Sequence, residues 1–250
     1  MAAWASTLLA ALVSAPAVFA GSPPNGGFAS CPENFHHGFV PRPVASTETR
    51  GQLRELCFSG FAVLHSGQTK TPVYTAEHLT PERLADAKGE KRTNRFYEEA
   101  RLPSAERARL KDYKGSQFAR GHMAPAADMP DQASMAQSFS LANMVPQAPE
   151  NNSGVWATAV EKATRKYVER GNEVYVITGP IYRGRVETIG ESNVWVPTAL
   201  FKLVYDPAKK KAWAYVVDNK DDATLTGPIS YNELVSRTGY FFLQSGAVVN

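Results

Sequence analysis

Cysteine is scarce in this chain of 250 residues, which has two, Cys31 and Cys57. So few, so far apart, exclude a disulfide-dense scaffold and a cysteine-built zinc module. Beyond residue 20 no apolar run is long enough to cross a bilayer as a helix, so no transmembrane segment is expected. No serine stands in a nucleophile-elbow pattern, and no glycine-rich loop has the spacing that cradles a nucleotide phosphate. The chemistry must therefore rest on other groups. Internal repeats and low-complexity tracts are also missing, which leaves an ordinary globular fold.

Charge is absent from the first twenty residues. A short apolar run around Leu8 to Val13 and the small residues of Val18-Phe19-Ala20 match a secretory signal with its cleavage site, although the start lacks Lys or Arg. A buried N-terminal helix is the alternative. Export predicts a periplasmic or secreted protein with no membrane association after cleavage. In that setting Cys31 and Cys57 are expected to form one disulfide, closing a loop of roughly 26 residues worth about 3 kcal/mol; two free buried thiols are the reading for a cytosolic chain.

What is present is a balanced composition, 43% hydrophobic and 20% charged, with a net charge of +3. The length suits one sizeable domain or two smaller ones. The mild positive excess is compatible with a polyanion as substrate without requiring one.

Residues 21–50, rich in Gly, Pro, Ser and Asn, read as an extended leader that the disulfide ties down. Phe61 to His65 and Val73 to Thr75 read as strands around a Ser-Gly turn. The charge-dense stretch 82–112 reads as solvated helix and loop. Two strand-like pieces follow, near Phe118 and over Phe139 to Val145. A helix fits Ser153 to about Arg170, with Trp156, Val160, Ala163 and Tyr167 at helical spacing. Asn151, Asn152 and Ser153 stand where its N-cap belongs, and Gly171-Asn172 ends it. The apolar run Val174 to Thr178 reads as a central strand. Val194 to Tyr205 and Ala212 to Val217 read as a hairpin around Asp206-Pro207, and a last short helix includes Tyr231 to Val235. Strands and helices mix without regular alternation, which predicts an α+β fold.

The densest group of polar chemistry is Arg120-Gly121-His122, within a run that continues to Asp128. Asn143 follows about twenty residues later, in a stretch ending Pro146-Gln147, and then comes Asn152-Ser153-Gly154-Val155-Trp156. If the two strands pair and the helix start folds over them, an imidazole, a guanidinium and a carboxamide converge. Such a set suits phosphodiester hydrolysis. An imidazole can take a proton from water near neutral pH. A guanidinium can bind a phosphate bidentately and stabilise charge growing in the transition state. A carboxamide oxygen can ligate a hard divalent ion that keeps most of its water. Taken singly, a histidine beside a glycine or an asparagine before a helix is more often structural.

Taken together, Arg120-Gly121-His122, Asn143 with Pro146-Gln147, and Asn152-x-Gly-x-Trp156 closely resemble the DNA/RNA non-specific endonuclease family. Val174 to Pro180, Val196-Pro197-Thr198 and Phe201-Lys202 continue the likeness, which covers roughly residues 55–245. The resemblance implies a ββα-metal nuclease fold with a central, mostly antiparallel sheet flanked by helices. With the leader readings above, this gives a division into a signal at 1–20, an extended segment at 21–54 and the nuclease domain at 55–250. His122 matches the general base that activates water, Asn152 the single protein ligand of a hydrated Mg²⁺, or of Mn²⁺ or another divalent cation in its place. Arg120 matches an arginine that contacts the phosphate, and Asn143 a residue that supports the histidine region. Since water is the nucleophile and no ribose 2′-OH is needed, both DNA and RNA are expected substrates, gripped by their backbones and left with 5′-phosphate ends.

Two positions depart from the family pattern. An acidic residue usually precedes Arg-Gly-His, whereas Ala119 stands here. The family also places a glutamate four residues after the tryptophan, where this chain has Val160, with Glu161 one later. At about 100° per residue, nine residues put Glu161 roughly 180° from Asn152 on a straight helix. Either Asn152 precedes the regular helix, or a π-bulge absorbs the extra residue, or Glu161 is outside the site and pairs with Arg165 at i+4. The departures motivate a competing reading, a nucleic-acid-binding protein that has lost catalysis. Arg92 and Arg95 are candidates for a second phosphate-binding arginine, with a plain surface role as the alternative. His65 and His78 read as structural, and His36-His37 lacks companions at a zinc-like spacing.

Overall fold

The computed structural model describes residues 26–44 and 51–248, together with Met1. The segment expected to be an export signal therefore lies, Met1 aside, outside the described residues. Nine strands carry the architecture: β1 Leu53–Cys57, β2 Ala62–Ser66, β3 Thr71–Leu79, β4 Ala119–His122, β5 Met144–Gln147, β6 Val174–Ile181, β7 Ala199–Asp206, β8 Lys211–Asp218 and β9 Ile229–Ser230. Seven of them form one sheet in the order β9-β8-β7-β6-β3-β2-β1, and every pairing in it is antiparallel. β4 and β5 pair separately. The fold is α+β, as expected.

β6 lies at the centre of the seven strands, and seven of its eight residues are buried. This is why its sequence is a nearly continuous apolar run: a strand covered on both faces has no solvent side to fill with polar residues. β7, beside it, is buried throughout. The expected hairpin at Asp206-Pro207 forms between β7 and β8, but Val194–Val196 does not belong to it. That piece pairs with Glu187–Ile189 in a small ribbon of its own.

Side chains alternate between the sheet's two faces. On one face Tyr74, Ala76, Ile177, Phe201, Leu203 and Tyr205 pack against Phe28, Phe35, Leu234 and Phe242. The residues read as an extended leader are thus wound into short 3-10 turns, Gly27–Ser30, Pro32–Asn34 and His36–Gly38, which seat Phe28 and Phe35 in that cluster. On the other face Val176, Val204, Leu200 and Val217 meet a long helix through Val168, Trp156 and Val160. Among the described residues no helix is long and apolar enough to cross a membrane.

The expected disulfide is present: Cys31 and Cys57 are bonded, with 5.8 Å between their Cα atoms, tying the leading turns to β1. Phe28 N–H reinforces the link by donating to Glu55 Oε2 at 2.8 Å. Replacing both cysteines by serine is expected to lower the unfolding free energy by about 3 kcal/mol. Urea unfolding of the double variant measures this, and an unchanged midpoint would show that the apolar contacts of Phe28 and Phe35 hold the segment unaided.

Candidate functional site

β4 and β5 pair in antiparallel register, with Arg120 opposite Pro146, Gly121 opposite Val145 and His122 opposite Met144. Because strand residues alternate, Arg120 and His122 share one face of β4. Both meet the Phe96 ring there: the guanidinium carbon of Arg120 lies 4.2 Å from its centroid, and the His122 ring is 5.7 Å away. Phe139 closes the other side of the imidazole at 5.0 Å, edge-on. Arg120 makes no hydrogen bond or ion pair within the described residues, and Ala119 gives it none. Its N–H groups are free for an anion.

His122 is 7% exposed, and its Nε2 is buried without a partner. Burial, with a smaller contribution from the positive charge of Arg92, pushes its pKa down to about 3. The imidazole is therefore neutral in the free protein at physiological pH. Arg92 reaches the site by lying over Phe139, 5.1 Å from the ring centroid, while its Nε donates to Asn94 Oδ1. Arg95, the other candidate, is exposed.

Asn143 is fully buried and fully bonded. Its Oδ1 accepts from Ala124 N–H, and its Nδ2 donates to the carbonyls of Ala124 and Ser138, each at 2.9 Å. It clamps the chain leaving β4 to the chain entering β5, so it positions His122 and cannot itself touch a substrate.

Gly121 faces away from the phenylalanines, toward Gln147. A Cβ on Gly121 would lie 2.1 Å from Gln147 Oε1 and 2.7 Å from Gln147 Cβ. Only glycine allows this approach. Gln147 in turn donates from Nε2 to Asn151 Oδ1 at 2.7 Å, and Asn151 donates to the Asp218 carbonyl at 2.7 Å. A continuous chain of contact thus runs from the residue before His122 to the residue before Asn152.

The long helix begins earlier than the sequence suggested. It runs through Pro149–Asn151, Asn152–Glu161 and Lys162–Val168, with Ala148 as N-cap and Pro149 in the first turn. Asn151, Asn152 and Ser153 are therefore inside it and do not cap it; the rigid φ of Pro149 starts the helix instead. The middle segment, Asn152–Glu161, is π-helical and contains Gly154 at φ −95°, ψ −107°, outside the helical range. The buried stripe runs Asn151, Trp156, Val160, Thr164, Val168, one step of five residues and then steps of four. The half-buried flank beside it, Asn152, Ala157, Glu161 and Arg165, has the same steps. The widened turn absorbs the extra residue, and Asn152 and Glu161 share a flank of the helix instead of opposing each other.

Asn152 makes no side-chain hydrogen bond within the described residues, so its carboxamide oxygen is available. A neutral oxygen donor fits a hard, hydrated divalent cation. Among the described residues no three His, Cys, Asp or Glu side chains converge to cage a metal, so such an ion would depend on this one donor and its own water. Glu161 is mostly enclosed; burial raises its pKa to about 6, against the opposing charge of Lys202. Arg165 bridges it at 3.8 Å and Asp128 at 3.0 Å. Lys88, Arg92 and Arg165, with Glu90 and Glu169, line an adjoining cleft of about 310 Å³. Phe96, Phe139, Asp128 and Arg165 were not singled out as site residues from sequence. Only Arg165 left a local signal, its i+4 spacing from Glu161.

A family model for DNA/RNA non-specific endonucleases matches residues 42–247. Similar curated proteins include Nuclease 1, mitochondrial, of Schizosaccharomyces pombe, 35% identical over 68% of this chain and 54% of that protein. Nuclease EXOG, mitochondrial, of Mus musculus is 32% identical over 71% of this chain and 51% of its own. This chain thus spans about half the length of these relatives. A crystal structure of an EndoG/EndoGI complex aligns with a TM-score of 0.70 and 25% identity, over 80% of this chain and 89% of that one. These relatives contradict the expected periplasmic or secreted location: curated matches from yeasts, mouse and human are named mitochondrial.

Two outcomes follow from this geometry. Gly121→Ala is expected to displace Gln147 and destabilise the protein by about 1–3 kcal/mol, read as a fall in the denaturant midpoint; an unchanged midpoint would mean that Gln147 swings aside freely. In an NMR titration of the metal-free protein the His122 ring is expected to stay neutral down to about pH 4. Because its folded pKa is depressed, it favours the fold above about pH 6.5 and loses that contribution as the pH falls toward 3.

Proposed function

This chain belongs to the DNA/RNA non-specific endonuclease family, and on that premise we propose that it is a metal-dependent endonuclease hydrolysing phosphodiester bonds in both DNA and RNA. The observation that carries the reading is a guanidinium without a partner beside a neutral imidazole on one face of β4, against the same phenylalanine. In this reading His122 is the general base. Its Nε2 is enclosed, so the nitrogen that takes the proton from the attacking water is Nδ1. A base held near pKa 3 is poorly matched to neutral pH, but a bound phosphate brings negative charge beside it and offsets Arg92. Both changes raise its basicity.

Arg120 grips the non-bridging oxygens of the scissile phosphate through its free N–H groups and stabilises their growing charge. Asn152 would hold the divalent cation, Mg²⁺ or a similar ion, which when bound supplies positive charge at the phosphoryl and leaving oxygens. Glu161, on the same helix flank, orients water next to that position. Arg92 and Lys88 hold neighbouring backbone phosphates, which carry no sequence information. No step uses a 2′-OH, so both sugars are accepted. The shared flank of Asn152 and Glu161 weighs against a binder that has lost catalysis, since the displaced glutamate motivated that reading.

The expected result is Mg²⁺-dependent loss of plasmid DNA and of RNA on gels, abolished by EDTA. His122→Ala is expected to lower the rate by about 10²–10⁴-fold while Asn152→Ala raises the Mg²⁺ concentration needed. Wild-type cleavage by the His122→Ala variant would overturn the mechanism. Metal-independent binding without cleavage would overturn the function.

A further inference from the structure

Lys202 has no part in the roles above, yet it is 1% exposed, and its Nζ donates to Thr178 Oγ1 at 2.8 Å. Lys202 on β7 lies opposite Thr178 of β6, and Glu77 on β3 lies opposite Val176. The two side chains thus rise from strands on either side of β6, on the face that meets the long helix. Glu77 is fully buried, and neither of its carboxylate oxygens has a hydrogen-bond partner. The Arg83 guanidinium, from the helix Pro81–Ala87, is 3.7 Å away, too far for a hydrogen bond, and gives one N–H each to the carbonyls of Gly60, His78 and Asp128. Asp128 approaches from the turn Ala126–Asp128, and Glu161 and Arg165 from the long helix. Three carboxyls and three cations therefore share this layer.

Their pairing is uneven. Asp128 is satisfied by Arg165 and Glu161 is approached by it, whereas Lys202 has no carboxylate within bonding distance and Glu77 has no donor. A fully buried ionised carboxylate with no protein donor is strongly disfavoured. Burial first, then the charge of Asp128, hold the Glu77 carboxyl well above the usual carboxylate range. With Glu77 uncharged, the field of Lys202 falls on Glu161, for which it is the largest favourable influence.

We propose that Lys202 and Glu77 are positioning residues for the candidate site: Lys202 draws the negative charge of this layer onto Glu161 at its rim, and Glu77 stays beneath as the uncharged partner. The proposal rests on the nuclease reading for the role of Glu161, but the charge arrangement itself can be measured without catalysis.

Two kinds of measurement test it. In the Mg²⁺-loaded enzyme, Lys202→Met is expected to lower kcat/KM about tenfold at pH 6 and less than twofold at pH 8.5, because Glu161 then keeps its proton to higher pH. An equal loss at every pH would mean a packing role and would overturn the proposal. In the metal-free protein, Lys202→Met and Glu161→Gln are expected to be non-additive in thermal unfolding at pH 7.5, and additivity would overturn the coupling. Glu77→Gln reports on the uncharged partner. A carboxyl with a raised folded pKa stabilises the fold at low pH and loses that contribution as the pH rises above 4.5, its ordinary value. Wild type is therefore expected to lose stability relative to Glu77→Gln as the pH rises, and parallel melting curves would refute that half. A wild-type protein that melts as expected but does not cut nucleic acid with Mg²⁺ would remove the nuclease reading and leave the charge arrangement standing.

Discussion

The site depends on the close approach of the Gln147 side chain to the backbone at Gly121. With no Cβ there, Gln147 fits against β4 and at the same time holds Asn151 inside the first turn of the long helix. That contact fixes how far the helix stands from the strand bearing Arg120 and His122. Asn143 secures the other end of the same strand pair through three bonds to main chain. Neither residue offers anything to a substrate. The groups proposed to meet a substrate, Arg120, His122 and Asn152, are left with unspent hydrogen-bonding capacity. An unpaired guanidinium and an orphaned imidazole nitrogen are unfavourable in a structure selected for stability alone, and their occurrence together beside one phenylalanine is what gives the cluster its functional meaning.

The helix solves a second problem. A regular α-helix would turn Glu161 away from Asn152, and the π-helical stretch with Gly154 in its first turn turns it back. Backbone regularity is given up over ten residues, and the apolar stripe of Trp156, Val160 and Val168 stays on the sheet throughout. Packing holds the irregular segment in place. Beside that stripe, on the same face of the sheet, lies the charged layer of Glu77, Asp128, Glu161, Arg83, Arg165 and Lys202. Its members come from two sheet strands, a short helix, a turn and the long helix. Such a layer is stable only when nearly every charge has a counter-charge or a proton.

Local sequence was informative where one segment carries the whole signal. Val174 to Thr178 reads as a central strand because burial on both faces removes alternation, and it lies at the middle of the sheet. The strands at Ala62–Ser66 and Thr71–Leu79 were legible for similar reasons. The helix start was not. Three cap-like residues, Asn151 to Ser153, outweighed Pro149, and two of them hold positions inside the helix through bonds that local sequence does not reveal: Asn151 to the Asp218 carbonyl, Ser153 to the Pro149 carbonyl. Likewise Phe28 and Phe35 sit in a stretch of loop-like composition, and only the sheet face they cover makes them core residues.

The sequence by itself determined the chemical groups, the α+β class, the central strand and, through the ordered motifs from Arg120 to Lys202, the family. It also posed the question of the extra residue before Glu161, because helical periodicity makes such an insertion visible. Tertiary structure alone decided the answer, since a π-helical turn is rare in an isolated helix and is held here by the face the helix presses on the sheet. The protonation of His122 and Glu77 was decided the same way: a residue's charge depends on the solvent it loses and the charges it meets, and both are set by segments distant in the chain.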